Sequence, residues 1–183
     1  MKLKLVFLTL LLFSIQLSNA YCLEPSLFPR FSGKTVKVFV MDVKSSAQAY
    51  DIDPALVKTR IEAVLKERKS IKFQVVPAAQ EADITVETQI VGFSWSDHDP
   101  VDRLMGIGAA AMDAAVVEDY ASMEADVTVS DARSKKPLWQ KRLFATITKK
   151  PMSKTESVPL VTENFVKVFI KDCFSKRTYT VPP

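Results

Sequence analysis

The chain has 183 residues, of which 48% are apolar, and a formal net charge of +4 at pH 7. The length fits one domain with a single core, and so small a positive excess argues against general nucleic-acid binding, which requires a concentrated basic face. His98 is the only histidine. Catalytic triads and Cys–His pairs are therefore excluded unless they centre on that one loop.

The first twenty residues have the order of a secretory signal peptide. Two lysines precede an apolar run from Leu5 to Leu12, and Ser18-Asn19-Ala20 supplies the small residues of a cleavage site. The run is shorter than the roughly 20 residues that a membrane span requires, although a retained anchor is the alternative. The sequence therefore predicts a signal peptide over residues 1–20 and an exported, periplasmic protein with possible outer-membrane association.

Export leaves two cysteines, Cys22 and Cys173, near the two ends of the mature chain. In an oxidising compartment they can pair and close a loop of ~150 residues, for which the chain-entropy model gives up to ~5 kcal/mol of stabilisation. The competing interpretation is lipidation of Cys22. Tyr21 argues against it, because a bacterial lipobox has a small residue at that position.

The first half of the mature chain predicts a strand, a helix and a second strand. Residues 21–33 carry two prolines and no period, which indicates an extended lead-in. Residues 34–41 are β-branched and nearly continuously apolar, as expected for a strand buried on both faces. Asp53 and a following proline open an amphipathic helix over 54–69, and a short strand over 71–76 ends at a proline.

Residues 83–95 alternate between apolar and polar side chains and predict a third strand. Beyond Gly92 the apolar set changes sides, which indicates a β-bulge at the glycine. The change leaves Phe93 and Trp95 at the far end of the strand. They are candidates for contact with a partner, and the alternative is that they cap the core.

A small-residue apolar insert, Leu104–Val117, follows this strand and is interrupted only by Asp113. It is too short to span a bilayer as a helix, and so continuous an apolar stretch must be covered by the domain, a second chain or lipid. Packing against the sheet and contact with a partner or membrane are both open. The candidate contact residues are Phe93, Trp95, Leu104, Met105, Ile107 and Met112.

Residues 120–149 read as two long strands joined by a turn at Asp131–Pro137. A polar connector over 151–157, an amphipathic helix over 158–174 and a tail over 175–183 complete the chain. Basic residues concentrate on the turn and on the second strand. The candidate contacts to an anionic ligand are Lys135, Lys136, Lys141 and Arg142, and the alternative is a solvated strand edge.

Recognisable catalytic and cofactor signatures are absent from the sequence. Asp97, His98, Asp99 and Asp102 include competent metal ligands, but their spacing matches no metal signature, and helix capping explains the acids better. There is no glycine-rich phosphate loop after the first strand, no CxxC and no HExxH. The sequence therefore predicts no metal, no cofactor and no catalytic residues.

Several phrases together resemble a known group of proteins. They are KTVKVFVMDV, the helix with IEAVLKER, EADITVETQIVGFSW, the insert GIGAAAMDAA and the strand pair ADVTVSDARSKKPLW. In this order they resemble small bacterial envelope proteins of the lipopolysaccharide-assembly lipoprotein (LptE-like) and DUF4410/DUF4136-like type. The resemblance covers about residues 34–173.

The predicted fold is α+β, with a mixed, mostly antiparallel sheet of about five strands and two helices on one face. The expected order is β-α-β-β, an insert helix, then β-β-α, within one domain over 34–174. The resemblance implies a non-enzymatic accessory or adaptor that contacts an envelope protein complex or outer-membrane component. The alternative is a module that binds an anionic envelope glycan or lipid through a basic strand face.

Overall fold

The computed structural model describes residues 26–49, 51–96, 120–148 and 153–176. The helices in these residues are α1 (Phe28–Phe31), α2 (Pro54–Glu67) and α3 (Lys154–Phe174), with 3₁₀ turns at Ala47–Ala49 and Ala79–Glu81. The strands are β1 (Thr35–Val40), β2 (Lys44–Ser45), β3 (Lys72–Val75), β4 (Ile84–Ser96), β5 (Tyr120–Asp131) and β6 (Pro137–Thr148).

All of these strands form one mixed sheet in the order β3-β1-β4-β5-β6, with β2 also beside β4. The short pairs, β1 with β3, β1 with β4 and β2 with β4, are parallel. The long pairs, β4 with β5 and β5 with β6, are antiparallel. The predicted α+β class is therefore confirmed, and the antiparallel ladders make up most of the sheet.

The core lies on one face of the sheet, under α2 and α3. Alternation along each strand sends every second side chain to this face, and the register aligns them, as in Val38 opposite Ile84 and Val86 opposite Val129. Apolar residues of both helices, including Ile61 of α2, join the same buried cluster. The two helices therefore cover one side of a single layer, as the sequence predicted.

The prediction that β1 is buried on both faces is wrong. Val36, Val38 and Val40 are buried, whereas Thr35 and Lys37 are exposed. The reason is tertiary: both long helices lie on the same side, and among the described residues the opposite face is covered only in part, where Val76, Ala82 and Ala132 pack with Phe39. We call this side the open face.

The predicted β-bulge is present in β4. The register with β5 shifts between Ile90 and Gly92, which moves the following odd-numbered residues to the helix side. Phe93 then lies opposite Met123, and Trp95 lies opposite Ala121.

The helix α3 begins earlier than predicted, because the presumed connector 151–157 contains its N-terminus. Ser153 and Glu156 form a reciprocal capping box, in which Ser153 Oγ accepts from the Glu156 amide and Glu156 Oε2 accepts from the Ser153 amide at 3.0 Å. Pro159 then lies inside the helix, where it removes one backbone donor. The apolar stripe begins after the cap and so predicts a later start, although Ser153 and Glu156 have the S-x-x-E spacing of a capping box.

The predicted extended lead-in is also partly wrong. Residues Phe28–Phe31 form α1, whose proline sits in the first turn, where no helical donor is lost. Leu27 and Phe31 are buried in the core cluster, and the Leu27 amide donates to the Cys173 carbonyl oxygen at 2.7 Å. The domain therefore includes residues 26–31, held against the end of α3.

Candidate functional site

The three long strands extend beyond the rest of the sheet at one end. β1 pairs with β4 over residues 84–86 and β2 pairs with it over 89–90, so among the described strands only β5 pairs with β4 beyond Ile90. The row Trp95, Ala121 and Ile147 crosses this extension on the helix side. We call this region, with Phe93 and Leu160, the aromatic end.

The apolar side chains of the aromatic end are only partly covered. Phe93, Trp95, Ile147 and Leu160 are half-buried and pack against the core cluster. Phe93 and Trp95 each contribute to the core and also retain accessible surface. The structure is therefore consistent both with capping of the core and with contact to a partner. Leu104, Met105, Ile107 and Met112 lie outside the described residues.

A shallow groove of about 290 Å³ runs beside this surface, between the end of β6 and α3. Its lining residues are Ile147, Thr148, Leu160, Glu163, Asn164 and Lys167. Asn164 Nδ2 donates to the Thr146 carbonyl oxygen at 2.9 Å, which ties α3 to β6. An open groove lined by both apolar and polar side chains suits contact with another macromolecule better than enclosure of a small ligand.

The four basic residues singled out from the sequence do not form one strand face. Lys135 and Lys136 are exposed in the β5–β6 turn. Lys141 and Arg142 are neighbours on β6, so their side chains point to opposite faces. The predicted basic strand face is therefore corrected to a basic turn and two separate ion pairs.

Each of the two strand cations has acidic partners within the domain. Lys141 Nζ, on the helix side, pairs with Asp172 of α3. On the open face, Arg142 Nε and Nη2 donate to the two carboxylate oxygens of Asp126, each at 2.8 Å, and Nη1 lies 3.1 Å from Glu124 Oε1. An anionic ligand at either residue would have to compete with these carboxylates.

The Arg142–Asp126 pair makes stability depend on pH. Hydrogen bonding to Arg142 lowers the pKa of Asp126, and the same pair raises the pKa of Arg142. A carboxylate whose pKa is lowered in the folded state stabilises the fold at pH values above its unfolded-state pKa, which is near 3.9. This contribution is lost as the pH falls through the folded-state pKa. Hydrogen bonds at Asp131 and Asp42 lower their pKa values as well.

We expect Arg142→Gln to flatten part of this acid dependence. Urea unfolding measured between neutral pH and strong acid should show the variant's deficit shrinking as Asp126 becomes protonated. In an Asp126→Asn background, Arg142→Gln should add little pH dependence. A deficit that stays constant down to the lowest pH would contradict the assignment of this ion pair.

Phe144 is a feature of the open face that the sequence interpretation did not single out. Its side chain is 62% exposed, which makes it the exposed large hydrophobic among the described residues. The sequence pattern could have predicted this exposure. Leu143, Ala145 and Ile147 occupy the inward positions, so alternation places Phe144 on the outer face. It follows Arg142 on the same face of β6.

Neither a metal-binding cluster nor a membrane-spanning helix is found among the described residues. The described residues contain no group of three or more His, Cys, Asp or Glu residues arranged to hold a metal ion. The cluster Asp97, His98, Asp99 and Asp102 lies outside them. None of the described helices combines the length and apolar character needed to cross a bilayer.

Comparison with known proteins gives structural matches only. Neither a protein-family model nor a curated protein matches the sequence. Protein XCC0632 of Xanthomonas campestris, of the DUF330 family, matches with a TM-score of 0.53 at 6% identity, covering 78% of this chain and 85% of its own. The PelC dodecamer of Paraburkholderia phytofirmans matches with a TM-score of 0.51 at 12% identity, covering 84% and 94%.

A third match is the hypothetical protein CT253 of Chlamydia trachomatis, with a TM-score of 0.50 at 11% identity, covering 73% of this chain and 92% of its own. At these identities the likeness concerns the fold alone. All three support the fold predicted from the sequence. None of them is described as an LptE-like or DUF4410-like protein.

Proposed function

We propose that this protein is an exported, non-enzymatic accessory or adaptor of the bacterial cell envelope that works by protein–protein contact. Its signal-peptide-like leader supports export, and its fold occurs in several bacterial proteins. The observation that carries the proposal is the aromatic end, where half-buried rings stand beside an open groove. The partner is a protein of an envelope assembly.

The geometry of the aromatic end supports contact with a protein in two ways. Phe93 and Trp95 are anchored on the core, so their rings are held in place before a partner arrives and little side-chain freedom is lost on binding. Aromatic side chains of this kind are enriched among the residues that dominate binding energy. The rim carries the Lys167–Glu163 ion pair at 2.6 Å, as expected of an apolar centre with a polar border.

The alternative, a module for an anionic glycan or lipid, loses part of its basis at β6. Lys141 and Arg142 are engaged by carboxylates of the domain. Lys135 and Lys136 remain, at the end of the sheet opposite the aromatic end. Anion binding at this turn would therefore be independent of the adaptor role.

A photo-cross-linking residue at Thr148 tests the adaptor role, because this exposed position lies on the rim of the groove. In cells that export the protein, we expect one defined cross-linked envelope protein, identified by mass spectrometry. Trp95→Ala should lower its yield by about tenfold or more, since buried aromatic anchors typically contribute about 2 kcal/mol or more to binding.

The matched control is Gln74→Ala, an exposed position on the edge strand β3. This variant should keep the full cross-link yield, and thermal melting should show that both variants remain folded. Equal yields from the two variants would contradict contact through the aromatic end. PelC is described as a dodecamer, and cross-links only between copies of this chain would replace the adaptor role with self-assembly.

A further inference from the structure

The end of the molecule opposite the aromatic end gathers the starts of three strands and a turn. Ile84 lies opposite Asp131, the Asp83 amide donates to the Lys37 carbonyl oxygen at 2.8 Å, and the Lys72 amide donates to the Lys34 carbonyl oxygen at 3.3 Å. The start of β4 and the β5–β6 turn therefore stand beside the starts of β1 and β3. We call this region the basic end.

The basic end also receives the C-termini of both long helices. Arg68, which follows α2, donates from Nη2 to the Phe174 carbonyl oxygen at 2.7 Å and to Ser175 Oγ at 3.1 Å. These contacts bring the last turn of α2 to the last turn of α3. Lys66 and Lys171 lie in those last turns and add their charges to this end.

Exposed cations on the strands and the turn dominate this surface. They are Lys34, Lys37, Lys72, Arg133, Lys135 and Lys136. Lysines at helix C-termini are explained by the helix dipole, but these six residues have no helix end to complement. Acidic residues are present here, including Asp83 and Asp131, but they are outnumbered.

At the opposite end of the domain, the starts of both long helices carry acidic residues. Asp53 caps the N-terminus of α2, Glu156 belongs to the capping box of α3, and Asp51 pairs with Lys154 at 2.8 Å. Lys154 at this end lies beside a carboxylate, whereas the basic end carries an excess of exposed cations. An excess of one sign favours contact with a surface of opposite charge.

A cleft of about 240 Å³ in the basic end is suited to an anionic headgroup. It lies between the turn Ala79–Glu81 and the β5–β6 turn, and Arg133, Lys135 and Gln80 line it together with three alanines. Lys135 has φ of 58°, in the left-handed region where glycine is more easily accommodated. Lys135 therefore places a cation beside the cleft in a conformation that costs a residue with a side chain free energy.

The N-terminal segment joins the domain at the same end. Ser26 Oγ donates to the Ser175 carbonyl oxygen at 2.7 Å, next to the Leu27–Cys173 hydrogen bond. A lipid on Cys22, or an apolar leader that stays attached, would therefore bring the basic end to the bilayer. Tether and charge would act in the same direction.

We propose that the basic end docks on a membrane surface rich in anionic phospholipid, with Arg133 and Lys135 flanking a headgroup phosphate. Docked in this way, the protein directs its aromatic end away from the bilayer, toward a partner. The inference goes beyond the adaptor role, and the two involve opposite ends of the molecule. Each can therefore fail without the other.

Vesicle co-sedimentation tests the proposal, using protein purified after export. We expect binding to vesicles containing phosphatidylglycerol at about 0.1 M salt and release at about 1 M salt, because the screening length falls from about 10 Å to about 3 Å. Vesicles of phosphatidylcholine alone should bind much less protein. Equal binding to both kinds of vesicle at both salt concentrations would overturn the proposal.

A triple variant, Lys34→Gln with Lys37→Gln and Lys136→Gln, should weaken partition onto anionic vesicles by about 100-fold, since each basic residue near the surface contributes roughly a factor of five. The control makes the same charge change elsewhere, at Lys44, Lys154 and Lys167, and should have little effect. Equal losses in the two triple variants would show that net charge, and not this end, governs binding.

Lys135→Gly separates binding from folding. Glycine fits the left-handed position, so the melting temperature should stay the same or rise. Partition onto anionic vesicles should nevertheless fall about fivefold. Unchanged partition would remove Lys135 from the docking surface. The cross-link yield at Thr148 should be unaffected by Lys135→Gly and by the triple variant of the basic end.

Discussion

Replacing Phe169 with alanine is expected to lower the free energy of unfolding by about 3–5 kcal/mol, the usual range for deleting a buried aromatic ring. Phe169 is fully buried. Its ring lies 5.9 Å from that of Trp139 on β6 and 5.8 Å from that of Phe174, which in turn contacts Phe73 of β3 at 4.9 Å. The change therefore opens a cavity where α3 meets both edges of the sheet. Equilibrium unfolding in urea measures the effect.

The matched control is Phe144→Ala, the same chemical change on the open face. Phe144 is 62% exposed, so its loss should change the free energy of unfolding by no more than about 0.5 kcal/mol. Comparable losses in the two variants would contradict a core confined to the helix side of the sheet. A variant of Phe144 that keeps its stability but loses cross-linking would instead assign that ring to a contact surface.

The second large effect concerns the predicted disulfide between Cys22 and Cys173, which we retain as a proposal. The structure holds Leu27, five residues after Cys22, on the Cys173 carbonyl oxygen, while Cys22 itself lies outside the described residues. In the chain-entropy model, a disulfide that closes a loop of ~150 residues raises the free energy of unfolding by up to ~5 kcal/mol. Reducing the bond would remove this stabilisation. Unfolding with and without a reductant measures the difference.

Cys22→Ser should reproduce the loss caused by reductant, and the reductant should then have no further effect on the variant. Mass spectrometry of the exported protein under non-reducing conditions should show the two cysteine peptides linked. Two alkylatable thiols, or a lipid mass on Cys22, would contradict the bond. Lipidation would leave the proposed membrane docking intact and would strengthen it.

The elements with strong local signals were predictable from the sequence. The β5–β6 hairpin, the helix opened by Asp53 and the bulge at Gly92 each depend on period, capping or a single glycine, and each is present. The wrong predictions were made where a local signal conflicted with a larger pattern. The prolines of the lead-in indicated an extended segment where α1 forms. The apolar stripe of α3 indicated a helix start after the capping box at Ser153.

The candidate sites were predicted less completely, because residue identity does not place a side chain on a surface. Neighbours in sequence, such as Lys141 and Arg142, belong to opposite faces once the strand forms. Residues far apart in sequence, such as Lys34, Lys72 and Lys135, meet at one end only after the parallel and antiparallel ladders assemble. Composition counts their charges but cannot locate them.

The sequence by itself determined the small net charge, which depends on composition, and the alternation of the strands and the start of α2, which depend on residues within a few positions of one another. Only the tertiary structure decided that, with both long helices on one face, β1 is half exposed and Phe144 lies in solvent. It also decided that exposed cations from three separate segments, the starts of β1 and β3 and the β5–β6 turn, share one end. The reason is that strand order and helix placement arise from contacts between distant residues, which no local pattern encodes.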